Sequence, residues 1–349
     1  MPELPEVETL RLDLAKEVVN KKVKAVAVSN GRSVRRHPSA KHFRALLEGR
    51  TIKSVGRLGK YLLLTLDNKD TLVIHLGMSG QLLRVKSAKE PKPKHTHVVI
   101  TFTQGGELRY VDPRTFGEMF VSSQAVPLPV GASVSAPVAS SGSSAPASSS
   151  GGPAAAGAGG SASAPSMQPP SGSVTSSHSG NGGPLPAGMA TGDGAALRRQ
   201  VPELAHLGFD PIEDLMSWDR FGLLLRRRHT ALKALLMDQE FVSGIGNLYS
   251  DEILFSAGLR FDRPSDGLSA TEVRRLYRAM VETLTDAIKH RGSTLVDEQY
   301  RDLFGEAGDY QGSHQVYDRE GEPCRRCRNP IVRAKVGGRS TFYCAHCQV

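Results

Sequence analysis

Residues 324–347 read CRRCRNPIVRAKVGGRSTFYCAHC, two Cys-x-x-Cys knuckles separated by sixteen residues. Each knuckle can present two thiolates to one tetrahedral ion, and the separation falls in the zinc-ribbon range. Cys324, Cys327, Cys344 and Cys347 are therefore read as the ligands of one structural Zn2+. Four sulfurs leave no open position for a catalytic water, so the metal belongs to the architecture. Between the knuckles, Gly337-Gly338 predicts the turn of a β-hairpin carrying Arg333, Lys335 and Arg339. A basic hairpin braced by a metal suits a polyanion, although a solvated charged face would carry the same residues. The chain has no other cysteine, which leaves nothing for a disulfide framework.

Upstream the pattern is helical, with segments around Asp219–Arg227, Ala231–Asp238, Leu248–Ser256 and Ala270–His290. Between the second and third lies Val242-Ser243-Gly244-Ile245-Gly246-Asn247. Its two glycines suit a tight turn that can approach a phosphate closely, with Asn247 expected to cap the next helix. Further upstream, Ser122 to Ala196 is a Ser, Ala, Gly and Pro tract with no aromatic residue and one formal charge, Asp193. It holds too little apolar surface to offset its ordering entropy and is expected to be a disordered insertion or linker.

Before the tract, β-branched and apolar runs recur at Val23–Val28, Tyr61–Leu66, Thr71–Leu76, His97–Phe102 and Leu108–Val111, the signature of a mostly antiparallel sheet or sandwich. A helix precedes them, with Val7, Leu10, Leu14 and Val18 at helical spacing and Pro5, Glu6 and Glu8 at its start. The expectation is an α+β chain of four parts: 1–121, a β-sandwich with a flanking helix; 122–196, the tract; 197–310, a helical domain; and 311–349, the metal-braced finger. Lys and Arg total 44 against 35 Asp and Glu, a formal charge of +9, which favours a nucleic-acid partner. No run of 18 apolar residues and no signal-peptide pattern occurs, so a cytoplasmic protein without membrane contact is expected.

Pro2, behind the initiator Met, bears on chemistry. If Met1 is removed, the new N-terminus is a secondary amine that can add to an aldehyde-like carbon and form a permanently cationic iminium, an electron sink for a lyase. The amine would lie just ahead of a helix N-terminus, whose partial positive charge disfavours protonation and keeps it nucleophilic. Glu3 and Glu6 lie beside it, one able to donate a proton while the other orients the amine. A plain helix start would use the same residues.

Several segments occur in order: MPELPEVET, Gly59-Lys60-Tyr61-Leu62, His75-Leu76-Gly77-Met78-Ser79-Gly80, Asp112-Pro113-Arg114-Thr115-Phe116-Gly117, SGIGNLY and the four-cysteine finger. Together they resemble bacterial formamidopyrimidine-DNA glycosylase over essentially everything outside the tract. The resemblance implies an N-terminal β-sandwich and a C-terminal helix-two-turn-helix domain ending in the zinc finger. It implies a monomer acting on double-stranded DNA that contains oxidised bases or abasic sites. Pro2 becomes the Schiff-base nucleophile, Glu3 the acid that opens the sugar and expels the base, Lys60 the lysine of β-elimination and phosphate contact, and Arg339 the arginine of δ-elimination. His75, His95, Arg114, Arg228 and Asn247 fall at DNA-contact positions.

A flipped-out nucleotide leaves a gap. Met78 and Phe116 can fill it, and Arg114 can meet the abandoned partner base. The segment from Thr294 to Tyr310 is similar to the loop that closes over 8-oxoguanine. Leu4, with Met78, Arg114 and Phe116, separates the chain from endonuclease VIII-like enzymes, which prefer oxidised pyrimidines. That activity and a catalytically silent damage-binding protein are the competing readings.

Overall fold

The computed structural model describes residues 1–123 and 194–349, and the greater part of the low-complexity tract lies outside them. Helix α1 (Leu4–Glu17) starts as its sequence dictates. Pro5 occupies the first turn, where its missing N–H costs nothing, and the Glu6 carboxylate accepts from the Glu3 N–H at 2.8 Å. Val7, Leu10, Leu14 and the C-cap Val18 are fully buried.

Strand β1 (Val23–Val28) and helix α2 (Ala40–Leu47) follow, then β2 (Ile52–Leu58), β3 (Tyr61–Leu66), β4 (Thr71–His75), β5 (Gln81–Val85), β6 (Thr96–Phe102), β7 (Glu107–Val111) and β8 (Glu118–Ser122). They form two antiparallel four-stranded sheets, ordered β1-β6-β7-β5 and β2-β3-β4-β8. Alternate residues of both sheets, among them Val26, Ile100, Tyr110, Leu62, Leu64 and Ile74, share one core with α1 and α2. The outer face of the second sheet is covered too. Leu63, Val73 and Phe120 pack against Val201, Leu204 and Leu207, with Leu197 of helix α3 (Gly194–Gln200) alongside. Burial on both faces explains why β3 reads as the nearly unbroken apolar run YLLLTL.

Three strands, β2, β5 and β8, and two helices, α2 and α3, escaped the sequence reading. β2 carries Lys53, Ser54 and Arg57, β5 carries Gln81 and Arg84, and β8 is apolar only at Met119, Phe120 and Val121, so none shows a clean two-residue alternation. The tract's limits also need correction. Ser122 pairs with Thr71 as the last residue of β8 and donates to Glu203 at 2.7 Å, and Gly194–Ala196 belong to α3. Composition resembled the tract, but ladder and helix hydrogen bonds claim those residues.

The remaining helices are α4 (Trp218–Arg226), α5 (Leu232–Met237), α6 (Asn247–Ala257) and α7 (Ala270–Lys289). They bury Phe221, Leu235, Ile253, Leu276 and Met280 in a second core, with α5, its turn and α6 making the helix-two-turn-helix unit. Leu4 of α1 belongs to this core and not to the sandwich core. Strands β9 (Val332–Val336) and β10 (Arg339–Tyr343) form the expected hairpin. Gly337 and Gly338 both have positive φ, 54° and 77°, as a two-residue hairpin turn requires. Among the described residues no helix is long and apolar enough to cross a membrane.

Candidate active site at the buried N-terminus

Met1 is exposed, and the chain turns into the molecule at the next residue. Pro2 is buried and lines a cavity of about 370 Å³ together with Glu3, Glu6, Lys60, Met78, Asn247 and Arg339. Distant parts of the sequence meet there, among them the head of α1, the β2–β3 turn, the loop after β4, the turn before α6, and the hairpin of the finger. The 293–300 segment contributes Ser293, Leu295, Asp297, Gln299 and Tyr300.

The glycines of Val242–Asn247 serve this meeting. Leu4 N–H donates to the Gly244 carbonyl at 3.0 Å, and a Cβ on Gly244 would lie 2.7 Å from Leu4 Cβ. A Cβ on Gly246 would lie 2.5 Å from Glu3 Cδ. The turn thus makes a close approach to the chain's own residues Glu3 and Leu4. Asn247 does not cap α6. Gly246 is the N-cap, and the Glu3 carboxylate accepts from the N–H groups of Gly246, Leu248 and Tyr249 at 2.6, 3.0 and 3.4 Å. An acid 243 residues away in sequence does the capping, which no local pattern could reveal. Asn247 lines the cavity, its Oδ1 buried and without a hydrogen-bond partner among the described residues.

Glu6 is the other carboxylate. Burial, opposed by hydrogen bonds from the Tyr249 hydroxyl at 2.7 Å and the Ser293 N–H at 2.8 Å, raises it to about 7. It therefore exchanges a proton near neutrality. Tyr249 and Ser293 were missed in the sequence because a Tyr and a Ser on helical and loop segments carry no signal of their own.

Burial also lowers Lys60, with Arg339 adding to the effect and Glu3 and Glu6 opposing it. The turn that carries Lys60 is clamped. Arg57 Nη1 donates to the Gly59 carbonyl at 3.1 Å, and Gly59 N–H donates to Asp210 at 2.8 Å. Fully buried Arg57 also pairs with Asp210 and with Glu8 of α1. His75, at the end of β4, is pushed down to about 4, first by burial and then by Lys60. Its ring stacks on Tyr61 at 4.6 Å, and it does not line the cavity.

Met78 and the Asp112–Gly117 loop stand together. A Cβ on Gly77 would lie 2.5 Å from the Gly117 nitrogen, and Asp112 accepts from Ser79 Oγ at 2.7 Å and from Gly117 N–H at 2.8 Å. Met78 and Phe116 are left 36% and 46% exposed, large apolar side chains offered to something outside the fold. The Arg114 guanidinium lies 5.0 Å from the Phe116 ring centre. The backbone of His95 accepts from Asp112 N–H at 3.0 Å, which places this exposed histidine at the same loop. Arg228 is exposed after α4. His75, His95, Arg114, Phe116 and Arg228 lie outside the cavity lining.

The four cysteines gather at the finger's base, their sulfurs all within 4.8 Å of one another. The Cys324–Cys347 and Cys327–Cys344 separations are 3.9 and 3.4 Å, too long for disulfides. They fit the roughly 3.8 Å between sulfurs bound tetrahedrally at about 2.3 Å. Cys324 and Cys344 share a small core with Phe255, Val316, Ile331 and Phe342. The Phe342 N–H donates to Asp251 of α6 at 2.9 Å, tying the hairpin that carries Arg339 to the helix beside Glu3.

A β-sandwich and a helix-two-turn-helix domain with a four-cysteine finger, meeting over a buried N-terminus, define the helix-two-turn-helix class of DNA-repair glycosylases. Models of the formamidopyrimidine-DNA glycosylase N-terminal domain, H2TH domain and zinc finger (the last shared with IleRS) match residues 1–119, 207–299 and 321–349. The formamidopyrimidine-DNA glycosylase of Salinispora tropica is 37% identical over 100% of this chain and 96% of its own length. That of Geobacillus kaustophilus is 35% identical over all of both chains. The crystal structure of the MutM (Fpg) protein from Thermus thermophilus superposes with a TM-score of 0.70 at 32% identity, over 99% of this chain and 98% of that one. The Lactococcus lactis Fpg in complex with DNA containing an abasic site gives 0.72 at 25% identity, over 99% of each chain. The chain belongs to the formamidopyrimidine-DNA glycosylase family.

Proposed function

We propose that this protein is a bifunctional glycosylase and abasic-site lyase that removes oxidised purines, 8-oxoguanine and formamidopyrimidines, from duplex DNA. The carrying observation is the convergence of Pro2, Glu3, Glu6, Lys60 and Arg339 on one cavity, from three distant parts of the chain. The secondary amine of Pro2, freed of Met1, attacks C1′ of a flipped nucleotide; the bond to the base breaks and an iminium forms. Glu3 faces the sugar as the acid of ring opening. Glu6 adds a carboxyl that holds a proton near neutral pH. Lys60, with its lowered affinity for a proton, suits the β-elimination, and Arg339 the δ-elimination that frees the other side of the gap. Met78, Phe116 and Arg114 fill the space that the flipped base vacates, and His75, His95, Arg228 and Asn247 hold the backbone.

Cys324, Cys327, Cys344 and Cys347 would hold one zinc ion, which supplies rigidity to the hairpin. The protein acts as a cytoplasmic monomer. Borohydride trapping on 8-oxoguanine and oxidised-pyrimidine duplexes in parallel tests nucleophile and substrate together. A covalent adduct preferring the 8-oxoguanine duplex is expected. Binding without an adduct would make the protein a silent damage binder, and an adduct only with the pyrimidine lesion would reassign the substrate. Full activity in Pro2→Gly would refute the case for the secondary amine.

A further inference from the structure

Glu6 is one end of a chain of hydrogen bonds. The Tyr249 hydroxyl that donates to it at 2.7 Å lies 3.4 Å from Ser293 Oγ, and Ser293 Oγ lies 3.0 Å from His314 Nε2. All four side chains are buried, and the reaction just described uses neither Tyr249, Ser293 nor His314. His314 lines a second cavity of about 350 Å³ together with Asp318, Glu322 and Arg325, which are exposed to solvent. Leu295 and Tyr317 line both cavities and form the wall between them.

We propose that Tyr249, Ser293 and His314 are a proton relay joining Glu6 to water in the second cavity, through which the carboxyl is recharged while DNA covers the first. The inference rests on the glycosylase and lyase reading. Base departure and two eliminations within one bound complex require protons to move more than once, and a duplex over the N-terminal cavity shuts the direct route to solvent. The relay can be drawn with every donor aimed at Glu6: His314 Nε2–H to Ser293 Oγ, Ser293 O–H to Tyr249 Oη, Tyr249 O–H to Glu6 Oε1. In one transfer His314 takes a proton at Nδ1 from cavity water, each of these three hydrogens moves one place along, and Glu6 is protonated. The hydroxide left in the second cavity passes to solvent; the imidazole ends as its other tautomer and resets by exchange with water there, and the Ser293 and Tyr249 hydroxyls, left pointing back toward it, reset by rotation. No electrons change hands.

The surroundings suit both ends. Glu3, Lys60 and Tyr300 face Glu6, and its value of about 7 lets it accept a proton near neutrality. Burial pushes His314 down to about 4; a hydrogen bond with the Tyr317 backbone opposes this, while Arg325 and Arg319 assist. The ring is therefore neutral in use, with one nitrogen to donate and one to accept.

The test is single-turnover kinetics of the zinc-loaded enzyme on an 8-oxoguanine duplex, following trapped adduct, base release and strand scission separately. His314→Gln cannot take up and pass on a proton. It should form adduct and release base as wild type does, while scission slows on the order of a hundredfold, the lower end of what proton transfer contributes. Ser293→Ala should slow scission similarly, and Ser293→Thr, which restores the hydroxyl, should recover it. Millimolar imidazole, entering by the second cavity, should restore scission in His314→Ala in proportion to its neutral form. Wild-type scission rates and pH dependence in both His314→Gln and Ser293→Ala would overturn the relay, as would loss of adduct and scission together without imidazole rescue. Should wild type itself give no adduct, the parent reading fails instead.

Discussion

Replacing Glu6 by Gln should make the folded protein more stable in mild alkali and less stable in mild acid. Burial raises this carboxyl from its ordinary 4.5 to about 7. The folded state therefore binds the proton more tightly than the unfolded chain. The native carboxyl carries no penalty below pH 4.5, and carries all of it once the pH has passed 7. At roughly 1.4 kcal/mol per pH unit the penalty is about 3 kcal/mol. Gln keeps the shape, and its oxygen can still accept from the Tyr249 hydroxyl and the Ser293 N–H. Its amide nitrogen, however, would face the Glu3 N–H that now donates to Oε2. Donor against donor costs about 1–2 kcal/mol at every pH. The net expectation is a gain of roughly 1–2 kcal/mol at about pH 8 and a loss of up to about 1 kcal/mol at about pH 5. Urea unfolding of zinc-loaded wild type and Glu6→Gln across this range measures it. Other titrating groups cancel in the difference between the two proteins, and the misfit of the amide cancels between the ends of the range. A mutant-minus-wild-type stability that stayed flat with pH would refute the claim that burial sets the proton affinity of Glu6.

Asp210→Ala would leave Arg57 buried with Glu8 and Glu213 but without the carboxylate that accepts from both its Nη atoms, and should cost about 3–5 kcal/mol in urea unfolding, with weaker β-elimination as the Lys60 turn loosens. Gly246→Ala forces a methyl into the Glu3 carboxylate, so borohydride trapping should fall well below wild type although bound zinc, read by metal analysis, remains. Phe116→Ala, at a site 46% exposed, should leave the melting temperature within a degree or two, yet slow 8-oxoguanine release more than cleavage at a preformed abasic site. Stripping zinc with a chelator should abolish duplex binding in a gel-shift assay, and readdition should restore it; binding that survived complete removal would mean the finger is dispensable.

Legibility in the sequence followed the range of the interactions. Strands β1 and β3 were readable to the residue, since their runs are bounded by turns and their apolar content is local. The hairpin and its four cysteines were equally plain, as two glycines and a fixed spacing carry the whole instruction. β2 was hidden by Arg57, a charged residue in a strand that makes sense only once Glu8 and Asp210 surround it. Asn247 looked like a cap because its neighbours are all the sequence shows, whereas the acceptor at that helix end is Glu3. Glu6 could be picked out beside Pro2, but its raised affinity comes from burial by distant parts of the chain, against the opposing hydrogen bonds of Tyr249 and Ser293, brought in from α6 and from beyond α7.

The placement of Pro2 follows from α1 being shared between two cores. Leu4 packs with the helical domain while Val7, Leu10 and Leu14 pack with the sandwich, so the head of the helix cannot settle until both have formed. Its acids make the same bridge. Glu3 is held by amides at the head of α6, Glu8 by Arg57 of β2, and Asp13 by Arg291 just after α7. Each is buried, and a buried carboxylate without its partner is costly, so separating the halves would penalise Glu3 and Asp13 directly and would strip Asp210 from the Arg57 that holds Glu8. A nucleophile at a chain end would ordinarily fray, since termini have few contacts to hold them. Here the residues next to it are fixed from both sides, so in the proposed mechanism the amine would meet C1′ without the entropy of a free end to overcome.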